Sequence, residues 1–254
     1  MPLPRGLDLR EAMILGTGAT TLDRVEAAGF AFAEYTDYQR RVIADRRSRP
    51  QQEDLVSILV HAEVDGARLD DEELLMESLL ILIGGDETTR HVLSGGMYEL
   101  LRHPDQMRAL AANPDLLPTA IEEMLRWVSP IQNMARTASR AVKLRGQRIE
   151  AGQKLILLYP SANRDAAQFR DPSSFDGART PNEHIAFGVG AHYCMGANLA
   201  RLELRVFFEE LLPRIDELAL AGPVRRLRSN FINGIKSMPV HFTPERRGAT
   251  VAAS

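Results

Sequence analysis

The sequence predicts a mainly α fold carrying small β-sheets, and three observations support that expectation. Apolar residues recur at helical intervals from Thr21 to Val128. Prolines bracket the shorter helical stretches. Beyond Pro130 the pattern changes to β-branched and aliphatic runs punctuated by glycine. At 254 residues the chain is long enough to bury a full core. No internal repeat or low-complexity linker divides it, so a single α-rich domain over residues 1–254 is expected.

The stretch TLDRVEAAGFAFAEYTDYQRRVIADRR spaces Val25, Phe30, Tyr35, Tyr38 and Val42 among charges and predicts one long amphipathic helix. A short helix over QEDLVSILVHAEV follows, closed by the turn signal DGAR. LDDEELLMESLLILIGGDETTRHVLSGGMYELLRHP then opens with Asp70 and Glu73, an aspartate form of the capping box, and stops at Pro104. A helix this long with an apolar middle is the central beam of a helical domain, covered by neighbours on every side. Gly84 and Gly85 sit at its midpoint, where each costs about 1 kcal/mol relative to alanine. Two readings offset that cost: close packing of a neighbouring helix, or a local widening that admits a ligand to the backbone.

HPDQMRALAAN and PTAIEEMLRWVSP predict two further helices, each bounded by proline. VKLRGQRIEAGQKLILLY predicts strands joined by tight turns at Gly146 and Gly152. From Ser161 to Glu183 the composition of Asn, Asp, Pro, Ser and Arg predicts a long ordered loop, a class that is often functional. A helix over MGANLARLELRVFFEELLPR and a final hairpin over FINGIKSMPVHF complete the chain.

The formal net charge of −3 gives no electrostatic basis for nucleic-acid binding. A single cysteine excludes an intrachain disulfide and a four-cysteine zinc site, and agrees with a reducing, cytoplasmic setting. The start, MPLPRGLDLREAMILGTGATT, lacks the pattern of a secretory signal. The longest apolar run is interrupted by Glu77, Asp86 and Glu87, so no membrane anchor is expected.

That one cysteine lies in FGVGAHYCMG, residues 187–196, at a loop-to-helix junction. A helix N-terminus presents unpaired N–H groups and favours thiolate over thiol. The thiolate can be a nucleophile or a metal ligand; otherwise the side chain is a small buried hydrophobe. Gly188, Gly190 and Gly196 point to close approach of a large flat ligand, because packing one thiol does not need three neighbours without side chains. His192 is two residues from Cys194, an awkward spacing for a nucleophile–base pair.

FGVGAHYCMG resembles the haem-binding signature of the cytochrome P450 superfamily at every fixed position: Phe187, Gly188, Gly190, His192, Cys194 and Gly196. Three further motifs stand in the family's order. GGDETT resembles the oxygen-activation motif of the central helix. EEMLR contains the Glu-x-x-Arg pair as Glu123 and Arg126, and FDGAR resembles the meander segment, with Arg179. The likeness runs from about residue 21 to residue 243 and is nearest to actinobacterial members that oxidise cholesterol side chains. Nothing matches the family's N-terminal β-rich subdomain and early helices, so the resemblance implies the C-terminal helical part of the cytochrome P450 fold.

The resemblance implies haem b as cofactor, with Cys194 as axial thiolate and metal ligand, Phe187, Gly188 and Gly196 around the sulfur, and His192 and Arg136 on the propionates. It makes Glu87 and Thr88 the catalytic acid–alcohol pair that supplies protons for dioxygen activation, and selects the widening reading for Gly84 and Gly85. Glu123, Arg126 and Arg179 would form a structural ion-pair cluster, with His184 structural as well. Substrate contacts would come from Leu80, Ile83, Gly84, Ile131, Asn133, Met134, Ile232 and Asn233, a mostly apolar set suited to a lipophilic small molecule. The implied reaction is insertion of one oxygen atom from O₂ into a C–H bond, at the end of a cholesterol or cholest-4-en-3-one side chain. Electrons would come from NAD(P)H through a ferredoxin and a ferredoxin reductase, and Arg201 and Arg205 would meet the acidic donor. A haem-binding fragment without turnover, a fatty-acid or branched-lipid hydroxylase, and a thiol enzyme using Cys194 are the competing readings.

Overall fold

The computed structural model describes residues 21–244, so the N-terminal stretch carrying AMIL lies outside the described residues. The described chain is mainly α-helical with small two-stranded antiparallel sheets. It falls into two compact units whose boundary lies between Gly84 and Gly85.

The first unit holds α1 (Thr21–Arg47), α2 (Leu55–His61) and the beginning of α3 (Asp71–Arg102). Asp54 starts α2 by accepting the Ser57 N–H at 2.9 Å, and the same carboxylate takes Arg46 Nε at 2.7 Å, which ties the start of α2 to the end of α1. Asp70 and Glu73 form the reciprocal capping box at the head of α3: Asp70 Oδ1 accepts the Glu73 N–H, and Glu73 Oε2 accepts the Asp70 N–H, both at 2.9 Å. Apolar residues of α3 then meet α1 and α2 in two clusters, Leu75 and Leu79 with Tyr35, and Leu74 with Ile43 and Val60.

The second unit contains the rest of α3, α4 (Pro104–Ala112), α5 (Leu117–Val128), α6 (Tyr159–Ala162) and α7 (Ala197–Leu211). Its core joins Val92, Met97 and Leu100 of α3 to Ile121, Met124 and Leu125 of α5, Leu204 and Phe208 of α7, and Phe175 of the long loop. Pro104 stands at the first position of α4, where its missing N–H is harmless.

The close helix packing considered for Gly84 and Gly85 occurs further along α3. A Cβ on Gly95 would lie 2.6 Å from Val128 Cγ2, and one on Gly96 would lie 2.6 Å from Met124 Sδ, so α5 approaches where side chains are missing. At Gly84 and Gly85 a Cβ would meet nothing within 4 Å among the described residues. The helix is unbroken there.

β1 (Asn133–Thr137) pairs with β4 (Lys154–Leu158), and β2 (Val142–Leu144) with β3 (Gln147–Ile149) across an Arg145–Gly146 turn in which both residues have positive φ. The final hairpin is not formed. FINGIKSMPVHF supplies β7 (Ile235–Ser237) and β8 (Val240–Pro244), but these pair with β6 (Arg225–Arg226) and β5 (Ile215–Leu220) instead of each other. Their connection, Met238–Pro239, has neither residue suited to a primed hairpin turn, and the Pro239 carbonyl instead accepts the Ala221 N–H at 2.9 Å.

Gly95→Ala is expected to lower the thermal midpoint despite alanine's helix preference, since overpacking against Val128 costs about 1–3 kcal/mol. Gly85→Ala, facing open space, is expected to stabilise by up to about 1 kcal/mol. Thermal unfolding followed by circular dichroism checks the pair of opposite signs.

Candidate functional site

Two adjacent glutamates on α5 organise the second unit. Glu123 and Arg126, one turn apart, are both fully buried and make a two-point ion pair, with Arg126 Nε to Glu123 Oε2 and Arg126 Nη2 to Glu123 Oε1, each 2.7 Å. Arg179 Nε reaches Glu123 Oε2 at 3.0 Å, and the Asn182 side-chain amide donates to the same oxygen at 3.1 Å. The remaining guanidinium N–H groups donate to carbonyls of the long loop. Arg126 takes those of Asn163, Pro172 and Ser174; Arg179 takes those of Arg170, Asp171 and Ser174. Five carbonyls of a loop with almost no regular secondary structure are thus satisfied by two arginines.

Glu122 faces the other way. Its carboxylate accepts Arg201 Nε at 2.6 Å and Nη2 at 2.8 Å from α7, and lies 3.0 Å from His184 Nε2. His184 Nδ1 accepts the Ala186 N–H, so Nε2 carries the proton given to Glu122. Burial works to raise the Glu122 pKa, but the hydrogen bonds from Arg201 and His184 outweigh it and hold the carboxyl down at about 2. The Arg201 guanidinium also stacks over the Phe187 ring, 4.7 Å from its centre, and Nη1 lies 3.4 Å from the Tyr193 hydroxyl. Arg201 is therefore engaged by Glu122 and by the cysteine loop. Arg205 is half-exposed and only loosely paired with Glu209, at 3.7 Å.

The cysteine loop lies between these anchors. The Cys194 N–H donates to the Phe187 carbonyl at 2.9 Å, closing the loop, and Gly188 and Gly190 take φ of 74° and 73°, a conformation that side chains disfavour. Cys194 is a free, exposed thiol. A Cβ on Gly196 would sit 4.0 Å from its sulfur, and Gly196 is the cap residue of α7 with no side-chain cap, so the helix N–H groups are presented beside the thiol. An accessible thiol on a glycine cradle at a helix N-terminus fits the thiolate ligand of a haem. His192, an exposed residue of the same loop, and Arg136, exposed on β1, carry the groups suited to propionates.

A profile of the cytochrome P450 family matches residues 21–216. The chain belongs to the cytochrome P450 family. It is 53% identical over 215 residues to a steroid C26-monooxygenase of Mycolicibacterium smegmatis, covering 84% of this chain and 53% of that protein. It is 45% identical to a methyl-branched lipid omega-hydroxylase of Mycobacterium bovis, over 83% of this chain and 50% of the relative. Among solved structures it resembles CYP109E1 from Bacillus megaterium in complex with corticosterone, with a TM-score of 0.85, 34% identity, and coverage of 92% of this chain and 63% of that one. The chain spans about half the length of the curated relatives it matches.

In this P450 chain Glu87 is buried on α3, paired with Arg90 and 2.9 Å from His91 Nε2, with Thr88 beside it in sequence and partly buried. Ile131 and Ile232 are brought together by an isolated antiparallel bridge, and the Asn133 amide donates to the Asn230 carbonyl at 2.6 Å. Ile232 is buried, whereas Met134 is exposed on β1. The Asn233 amide is taken by the Val128 carbonyl. Leu80, Ile83 and Gly84 belong to the first unit. Sequence reasoning missed Glu122 and Asn163; the only local signal for Glu122 was its place before Glu123, and its partners lie far away in the chain. No helix among the described residues is long and apolar enough to cross a membrane.

Glu123→Gln is expected to destabilise by about 3–5 kcal/mol, because it leaves two buried guanidiniums without a counter-charge; urea unfolding measures it. Glu122 contributes stability that is present above its ordinary value of 4.5 and lost as pH falls towards 2. Glu122→Gln is therefore expected to be less stable at neutral pH and to lose less on acidification through that window, read by melting midpoints across pH.

Proposed function

We propose that the chain forms the haem-binding part of a haem-thiolate monooxygenase that hydroxylates the terminal carbon of a steroid side chain. The accessible Cys194 thiol on its glycine cradle, at the uncapped start of α7, is the observation that carries this reading. When bound, haem supplies dioxygen activation and attack on an unactivated C–H bond. Cys194 would hold the iron, Phe187, Gly188 and Gly196 would surround the sulfur, and His192 and Arg136 would take the propionates.

The overall reaction places one oxygen atom in the C–H bond and releases the other as water, consuming two electrons and two protons. Glu87 and Thr88 would deliver those protons, the hydroxyl orienting water and the carboxylate exchanging protons with it. Electrons would come from NAD(P)H through a ferredoxin and its reductase in the cytoplasm. Ile131, Asn133, Met134 and Ile232, with Leu80, Ile83 and Gly84, would contact the substrate. Similarity to the M. smegmatis steroid C26-monooxygenase supports the steroid. Similarity to the methyl-branched lipid omega-hydroxylase supports the second reading, a branched lipid, oxidised likewise at a chain terminus.

Purified with haem supplied, the chain is expected to give the red-shifted Soret band of a thiolate-ligated haem when reduced under carbon monoxide. Cys194→Ala is expected to abolish that band; its retention would refute the assignment. Thr88→Ala is expected to keep haem while diverting reducing equivalents to peroxide, and unchanged product per NAD(P)H would count against proton delivery. Turnover of cholest-4-en-3-one beside a methyl-branched fatty acid separates the two substrate readings.

A further inference from the structure

One turn beyond Glu87 on α3, His91 is almost fully buried, and the proposed reaction gives it no task. Its Nε2 lies 2.9 Å from Glu87 Oε2, within ion-pair distance but without the alignment of a hydrogen bond, and neither ring nitrogen has a hydrogen-bond partner among the described residues. Its placement is tight: a Cβ on Gly234 would fall 2.4 Å from His91 Cε1 and 2.6 Å from Nε2, so only glycine at that position lets the ring lie where it does. His91 also lines a cleft of about 310 Å³ together with Glu99, Arg164, Arg226 and Asn233. Buried polar atoms are as a rule satisfied by protein or by water.

We infer that His91 is a positioning residue for Glu87: its Nε2–H holds the carboxylate oxygen. This rests on the reading of Glu87 as the proton-delivering acid. The charged groups around the ring are Asp86, Glu87 and Arg90 on its own helix, Glu99 further along α3, Arg164 after α6, and Arg226 on β6. Burial lowers the His91 pKa, with the Arg90 charge acting in the same direction and Glu87 against it. The imidazole is therefore neutral at pH 7, with one donor and one acceptor nitrogen. Off-line contacts between catalytic groups commonly tighten when substrate binds. The neutral ring orients the carboxylate without adding a second full positive charge to that of Arg90.

Glutamine at this position places an N–H near Nε2, asparagine places one near Nδ1, and leucine fills the space with neither. His91→Gln is expected to retain product formed per NAD(P)H consumed. His91→Asn and His91→Leu are expected to lose about tenfold in the rate of product formation, the factor for one hydrogen bond to a charged group. Nitrogen-15 NMR of the His91 ring, which needs no turnover, is expected to show the neutral Nε2–H tautomer persisting below the ordinary imidazole range. Equal behaviour of all three variants, or an Nδ1–H tautomer, overturns the inference about His91. If Glu87→Gln leaves coupling unchanged, the reading of Glu87 falls and His91 with it. An altered Glu87→Gln beside three equal His91 variants overturns His91 alone.

Discussion

The second unit depends on the burial of three charges in one place. Glu123, Arg126 and Arg179 are removed from water, and a lone carboxylate cannot balance two guanidiniums. The excess positive charge is met by backbone carbonyls, and those carbonyls belong to the loop that leads to the cysteine. A segment with almost no regular secondary structure thereby has its carbonyls facing fixed donors, Arg126 at the end of α5 and Arg179 within the loop itself. The hydrogen bonds between the arginines and these carbonyls offset both the cost of burying the guanidiniums and the cost of ordering the loop.

Glu122 extends the constraint to the far side of the loop. Adjacent residues on a helix point about 100° apart, so Glu123 gathers the loop on one flank while Glu122 takes Arg201 of α7 and His184 on the other. Arg201 in turn covers Phe187, whose carbonyl receives the Cys194 N–H. The cysteine is thus fixed through a short chain of contacts from one turn of α5. Such fixing suits a metal ligand, whose position must not depend on whether the metal is present.

Much of this was legible where the physics is local. The capping box of Asp70 and Glu73, the proline at the head of α4, the turn at Gly146 and the loop-to-helix junction at Cys194 each depend on residues a few positions apart. Pairing at a distance was legible only where the family resemblance supplied it, as for Arg179 with Glu123. Glu122 reads as one more surface acid until Arg201 and His184 are brought to it. The strands β7 and β8 look like a hairpin because they are consecutive, yet both find upstream partners, since Met238–Pro239 cannot make the turn. Arg201 looked like a solvent-facing helix residue for the same reason: its spacing says which face it occupies, and only the fold says what lies opposite.

The two glycine pairs of α3 carry the argument furthest. Gly84–Gly85 and Gly95–Gly96 have the same local cost, about 1 kcal/mol per residue, and the sequence around them does not separate them. At Gly95 and Gly96 the cost is offset by the approach of Val128 and Met124, without which the core of the second unit would not close. At Gly84 and Gly85 no described neighbour occupies the space a side chain would fill, and the helix there is unbroken. Under the oxygenase reading, this bare helical surface, directly preceding Glu87 and Thr88, is where a flat cofactor and a lipophilic substrate need room. The helix would then be weakened at the one stretch where packing is replaced by a bound ligand.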